Sequence, residues 1–299
     1  MKYQYFVCDV FTETRFGGNP LAVLPNAEGL TSEQMQAIAK EFNLSESSFV
    51  FPAENGNTRK VRIFTPATEV PFAGHPNVGT AFTLASIGEF GELSDMIEIV
   101  FEEQAGLVGI TIRNEPGKAI WAELKAPEKL SLGSEVPVEL VADALCLNQS
   151  DIKTTTHQPK VASVGLAFLI VEVVSQSALE KAQINVGALN SIVDLGVNPY
   201  IHFYFKSDDD FDIHTRMFAP LDGVPEDPAT GSANCALAGL LCHHAEQSEG
   251  DFSWRISQGV EMGRPSILDA RATKNSGQVD NVWIAGRCVM VAQGTIEVD

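Results

Sequence analysis

The chain of 299 residues is 44% apolar and carries 39 acidic against 20 basic side chains, a formal net charge of −19. Folding at this length hides about three quarters of the extended-chain surface, enough for a core without metal or disulfide staples. The charge balance excludes nucleic-acid binding, which needs a basic face to displace counterions. The longest apolar run, residues 164–171, is far short of the ~20 residues of a membrane span, and residues 1–11 lack the basic start and apolar stretch of an export signal. A soluble, cytoplasmic protein with no membrane partner is expected. Five widely spaced cysteines (Cys8, Cys146, Cys235, Cys242, Cys288), with no C-x-x-C among them, fit reduced thiols in that compartment.

In chain order, a β-rich run at 3–10 comes first. Thr31 and Gln34 then form a capping box, and Met35, Ile38, Ala39 and Phe42 follow a helical stripe, which predicts an amphipathic helix ending just before Asn43. In the strand that follows, Ser47, Phe49 and Phe51 share one face and Glu46 takes the other. Further strands are expected at 59–64, 97–101, 107–113 and 119–124. Between the first two of these, a helix opens at His75-Pro76, where proline suits the first position, and stops at Gly88. The Pro, Gly and Ser-containing stretch 127–137 marks a boundary. Strands follow at 161–174, 200–205, 212–218, 279–285 and 287–291. A second helix starts near Gly231-Ser232, with Ser232 as its N-cap. Neither helix has room for a polar face, so both are expected to be buried on most sides.

The chain also repeats itself. Arg62-Ile63-Phe64-Thr65-Pro66 recurs as Arg216-Met217-Phe218-Ala219-Pro220, and Val70-Pro71 as Val224-Pro225. After an insertion of three residues, Pro71, Gly74, Asn77, Ala81 and Leu84 match Pro228, Gly231, Asn234, Ala238 and Leu241. Duplication predicts an α+β protein of two pseudo-symmetric halves, each a curved, mainly antiparallel sheet or barrel wrapped around a buried central helix. The halves are 1–126, with its helix at 76–87, and 127–299, with its helix at 232–244; the C-terminal strand is free to return to the first half.

Two Gly-rich helix starts can hold anions through backbone N–H groups and the positive helix end. If the halves face each other, both starts point into one cleft. Glu46, flanked by serines and apolar residues, can be partly desolvated, which suits a general acid and base.

Phe11, Gly17-Gly18-Asn19-Pro20, Asn43-Leu44-Ser45-Glu46-Ser47, Arg62 through Pro66, Pro71-Phe72-Ala73-Gly74-His75-Pro76 and Arg216 through Ser232 together resemble the PhzF-like phenazine-biosynthesis proteins, which share the fold of diaminopimelate epimerase. The resemblance implies a catalytic glutamate at Glu46 and supporting polar groups at His75, Asp227 and Ser232. Backbone N–H groups around Gly74-His75 and Thr230-Gly231 would bind a carboxylate, and Asp227 would hold an amino group or orient a ring. It further implies a homodimer with neither organic cofactor nor metal, isomerising a small amino or carboxylic acid. Asn77, also expected at the substrate, stands where threonine or serine is more usual.

Two alternatives remain open at this stage. One is a non-catalytic small-molecule-binding protein of the same fold. The other is a two-base racemase or epimerase, which would need thiols that neither helix start carries. Gly231-Ser232-Ala233 is not G-x-S-x-G, which argues against a serine hydrolase. Adjacent Cys242 and His243 point to different helix faces and do not suit a metal site. His157, His202 and His214 read as ordinary fold residues.

Overall fold

All 299 residues are described by the computed structural model, in which the chain forms two compact units, residues 1–127 with 284–299 and residues 128–283. The first stretch comprises β1 (Lys2–Val10), β2 (Asn19–Leu24), α1 (Ser32–Phe42), β3 (Glu46–Phe51), β4 (Arg59–Phe64), β5 (Glu69–Val70), α2 (Gly74–Ser86), β6 (Met96–Glu103), β7 (Gly106–Arg113) and β8 (Trp121–Lys125). The second comprises β9 (Ser131–Glu135), α3 (Val138–Ala144), β10 (Ile152–Lys153), β11 (Lys160–Ser163), β12 (Ala167–Val173), α4 (Gln176–Lys181), α5 (Val186–Val193), β13 (Ile201–Lys206), β14 (Ile213–Ala219), β15 (Val224–Asp227), α6 (Gly231–His244), β16 (Gly250–Gln258) and β17 (Ser266–Asn275). The last strand, β18 (Gln278–Glu297), leaves the second unit and ends in the first. No helix is long and apolar enough to cross a membrane.

In the first unit, eight strands close on themselves. β1 is antiparallel to β2, β2 parallel to β3, β3 antiparallel to β4 and β4 parallel to β6; β6, β7 and β8 follow as an antiparallel meander. The end of β18 pairs with both β8 and β1 and so completes the ring. Closure leaves the interior to α2, whose residues from Gly74 to Ala85 are all buried and which packs on β1, β2, β3, β7 and β8. Outside, α1 begins with the Thr31–Gln34 capping box and ends at Asn43 in the left-handed conformation (φ 51°), as its sequence predicts. Its Met35, Ile38 and Ala39 pack with Phe49 and Phe64 in a satellite core.

The second unit repeats the central order. β12 is parallel to β13, β13 antiparallel to β14, β14 parallel to β16 and β16 antiparallel to β17. Here α6 is buried from Gly231 to Cys242 and packs on β11, β12, β16 and β17. The short helices α3, α4 and α5 cover a separate cluster around Leu189, Val171 and Phe203. The duplication extends to side-chain bonding. Arg62 forks onto Glu69 through Nε and Nη2 at 2.7 and 2.6 Å, and Arg216 onto Glu226 at 2.8 and 2.9 Å. Each bidentate pair ties the strand before the buried helix to the short strand leading into it.

Several expectations need correction. Helix α2 starts at Gly74, two residues before Pro76; proline is tolerated there because first-turn N–H groups have no intrahelical partner. The N-cap of α6 is Thr230, and Ser232 lies inside the first turn. The run 161–174 breaks at Gly165 (φ 140°) into β11 and β12, and 279–291 is one strand. The stretch 127–137, where a boundary is expected, does contain the division between the units, after residue 127, and it also holds β9, which pairs with β11.

Gly79 sets how closely α2 approaches the barrel wall. A Cβ there would lie 2.6 Å from both Leu21 Cδ2 and Val10 Cγ2, whose residues are fully buried. Gly79→Ala is therefore expected to destabilise by about 1–3 kcal/mol in denaturant unfolding, although alanine is the better helix former. An unchanged or higher midpoint would show that the wall can yield.

Candidate active site

Glu46 is the first residue of β3, released from α1 by the left-handed turn at Asn43. Parallel pairing places it opposite Leu21, beside Asn19 and Pro20 at the start of β2. From the first turn of α2, His75 meets both: its Nδ1 lies 3.5 Å from Glu46 Oε2 and 3.3 Å from Asn19 Nδ2. Only 3% of the His75 side chain is exposed, against 19% for Glu46. Burial pulls the His75 pKa down to about 3, outweighing a contact with the Pro20 backbone. The ring is thus neutral near pH 7, and the Glu46–His75 contact is a carboxyl beside an uncharged imidazole, not an ion pair.

In the second unit, Asp227 ends β15 and accepts a 2.6 Å bond from the Thr230 hydroxyl. Gln258, at the end of β16, spans this turn. Its Oε1 accepts from Thr230 N (3.1 Å) and Asn234 Nδ2 (2.8 Å), and its Nε2 donates to Asp227 O (2.8 Å) and Thr230 Oγ1 (3.0 Å). Behind them, His202 Nε2 lies 3.2 Å from Asn234 Oδ1, in burial that lowers its pKa to about 3. Asp227, Thr230 and Ser232 are all under 9% exposed.

The two buried helices differ at their starts from α1, α4 and α5, though not from α3, which begins at Pro137 without a side-chain cap. Thr31, Ser175 and Asn185 cap α1, α4 and α5 with side-chain oxygens. Neither Ala73 nor Thr230 makes a side-chain cap for α2 or α6. The first N–H groups of a helix have no intrahelical partner and carry its positive end, so an uncapped start suits an anion.

The structure therefore brings Glu46 together with His75 at Gly74, and Asp227 with Thr230 at Gly231 and Ser232. Two expected contacts change. The Thr230 N–H is taken by Gln258 and cannot serve a carboxylate. Asn77 is fully buried, with Nδ2 bonded to Ala73 O at 3.0 Å, and so braces the helix start from within. Sequence reasoning passed over Gln258 and left Asn19 unassigned, although Asn19 stands inside the Gly17–Pro20 block. No group of three or more His, Cys, Asp or Glu is placed to hold a metal ion.

Gln258→Leu would strand the Thr230 N–H and leave the Asn234 amide with only its bond to the Thr230 carbonyl. A loss of about 3 kcal/mol in unfolding free energy is expected, since a buried unsatisfied polar group costs roughly 1–3 kcal/mol. A change below about 0.5 kcal/mol would show that the bridge contributes nothing net.

Comparison with known proteins agrees with this architecture. The profile of the PhzC-PhzF family, described as phenazine biosynthesis-like protein, matches residues 8–294. An uncharacterised isomerase of Mesorhizobium japonicum is 36% identical, with 98% of each chain covered. Trans-2,3-dihydro-3-hydroxyanthranilate isomerase of Pseudomonas fluorescens is 34% identical over 98% of this chain and 99% of that one. Among solved structures, a PhzF-family phenazine biosynthesis protein of Bacillus anthracis superposes with a TM-score of 0.89 at 26% identity, covering all of both chains. A hydroxyproline epimerase of Agrobacterium vitis, at 14% identity and TM-score 0.67 over 99% of this chain and 91% of that one, shares the fold. On a match running almost from end to end, the chain belongs to the PhzC-PhzF family of phenazine biosynthesis-like proteins.

Proposed function

We propose that this isomerase moves a proton between carbon atoms of a small amino or carboxylic acid, with Glu46 as the carrier. The observation that supports this most directly is the carboxyl of Glu46 beside a neutral, buried His75 at the uncapped start of α2. In the forward step the Glu46 carboxylate takes a carbon-bound proton, and the electron pair left behind spreads into an adjoining conjugated system. The Glu46 carboxylic acid then returns the proton at a different carbon. One C–H bond breaks and another forms, so the step balances with its own atoms. The trans-2,3-dihydro-3-hydroxyanthranilate named for the Pseudomonas fluorescens relative is an acid of this class.

Other groups take supporting roles. N–H groups at Gly74 and His75, and at Gly231 and Ser232, offer positive helix ends to acid groups. Asp227, anchored by Thr230, is suited to an amino group. Glu69 is committed to Arg62 and is unsuited to carrying a proton. A thiol mechanism meets opposition from burial, which pushes Cys8 up to about 12 and Cys288 well above the ordinary thiol value.

Glu46→Gln keeps the shape and removes the exchangeable proton. It is expected to bind a substrate-like acid normally while losing about three powers of ten in isomerisation and in exchange of the carbon-bound proton with heavy water, followed by NMR. Near-parental exchange in the folded variant would exclude Glu46 as the carrier and leave His75 as the next candidate.

A further inference from the structure

One carboxyl near α2 has no part in this reaction. Glu103 ends β6, and both its oxygens are shielded from solvent without a partner in bonding geometry. The Asn77 side chain lies against it, and Asn77 Oδ1 is likewise buried with no donor. An ionised carboxylate can only accept, so it cannot satisfy that oxygen; a protonated one has a donor to offer.

The other half supplies a comparison. β6 runs parallel to β4 with Arg59 opposite Phe101 and Lys60 opposite Glu102. β16 runs parallel to β14 with Ile213 opposite Ile256, His214 opposite Ser257 and Thr215 opposite Gln258. Arg59 and Lys60 occupy the repeat positions of Ile213 and His214, so Glu103 falls at the position of Gln258. Asn77 and Asn234 are also repeat mates, each donating Nδ2 at 3.0 Å to the N-cap carbonyl of its helix, Ala73 or Thr230. In the second half a neutral amide bridges Asn234 and the helix start, accepting on one atom and donating on the other. A glutamic acid that keeps its proton has the same shape and the same pairing of donor and acceptor.

Building on the role proposed above for the start of α2, we propose that Glu103 is a positioning residue that works as a neutral carboxylic acid. It holds Asn77 and the first turn bearing Gly74 and His75, as Gln258 holds Asn234 and the first turn of α6. Burial, opposed by Asn77, moves the Glu103 carboxyl up to about 8. The charged groups around it are committed elsewhere. Glu102 accepts from the backbone N–H groups of Glu54 and Asn55 on another course, Lys60 pairs with Glu54, and Arg62 pairs with Glu69. His75, on α2, is neutral.

The pH dependence follows from linkage. The native state keeps a proton that the unfolded chain releases above the ordinary carboxyl value of 4.5, so stability falls as pH rises from there to about 8 and is level beyond. Denaturation of the parent and Glu103→Gln between pH 5 and 9 is the test. The variant's stability relative to the parent is expected to climb up to about pH 8 and then level. At pH 6 the infrared difference between the two should show the carbonyl stretch of a protonated carboxylic acid. A pH-independent difference with no such band would mean that Glu103 is ionised, and would overturn the proposal. For positioning, the NMR signals of the Asn77 side-chain amide and the His75 ring should stay in place in Glu103→Gln and move in Glu103→Leu. Unmoved signals in the leucine variant, or displaced ones in the glutamine variant, would contradict it; should the leucine variant not fold, the glutamine variant decides alone. None of these readouts uses a substrate, so they succeed or fail independently of the Glu46→Gln experiment.

Discussion

Burying an entire helix raises the problem of its first turn. From Gly74 to Ala85 and from Gly231 to Cys242 no residue reaches the surface, so these helices have no wet face on which to settle their initial N–H groups. Among the outer helices, α1, α4 and α5 settle theirs with Thr31, Ser175 and Asn185, while α3 starts at Pro137 without a side-chain cap. Inside, the device is different: Asn77 and Asn234 bond back to the N-cap carbonyl, which fixes the turn while leaving donors and the positive helix end for something else. Packing and capping both follow from that one constraint.

The two copies keep the frame and diverge in chemistry. Both retain the Arg–Glu fork and the back-bonded asparagine. One then places Glu46, His75 and Asn19 at the helix start, where burial keeps the imidazole uncharged. The other places Asp227, Thr230 and Gln258 there, with the Asp227 carboxylate held by a hydroxyl. On the proposed function, the divergence of the copies separates the proton carrier of one half from the binding carboxylate of the other.

What could be read in the sequence depended on whether its signal was local or repeated. The Thr31–Gln34 box lies within one helical turn and marks α1 to the residue. The buried helices were visible because two apolar stretches with matched Gly and Asn positions corroborate each other. Short α3, α4 and α5 gave too few turns to show a period. Gly286 reads as a break, yet β18 runs through it, because strand pairing on the barrel outweighs a single glycine. Gln258 and Glu103 lie more than twenty residues from the helix starts they serve, on strands that only the register brings back. Carrying the repeat past the helices to the ends of β6 and β16 would have paired them.

The central claim is that the uncapped donors at the start of α2, and those at the start of α6, each bind an acid group. Titration of 15N-labelled protein with anthranilate, a planar amino acid lacking the labile hydrogen, tests it most directly. The backbone amides of Gly74, His75, Gly231 and Ser232 should shift with saturable dependence on ligand, while that of Thr230, held by Gln258, should shift less. Saturable binding that leaves these four amides unmoved and displaces signals elsewhere would contradict it.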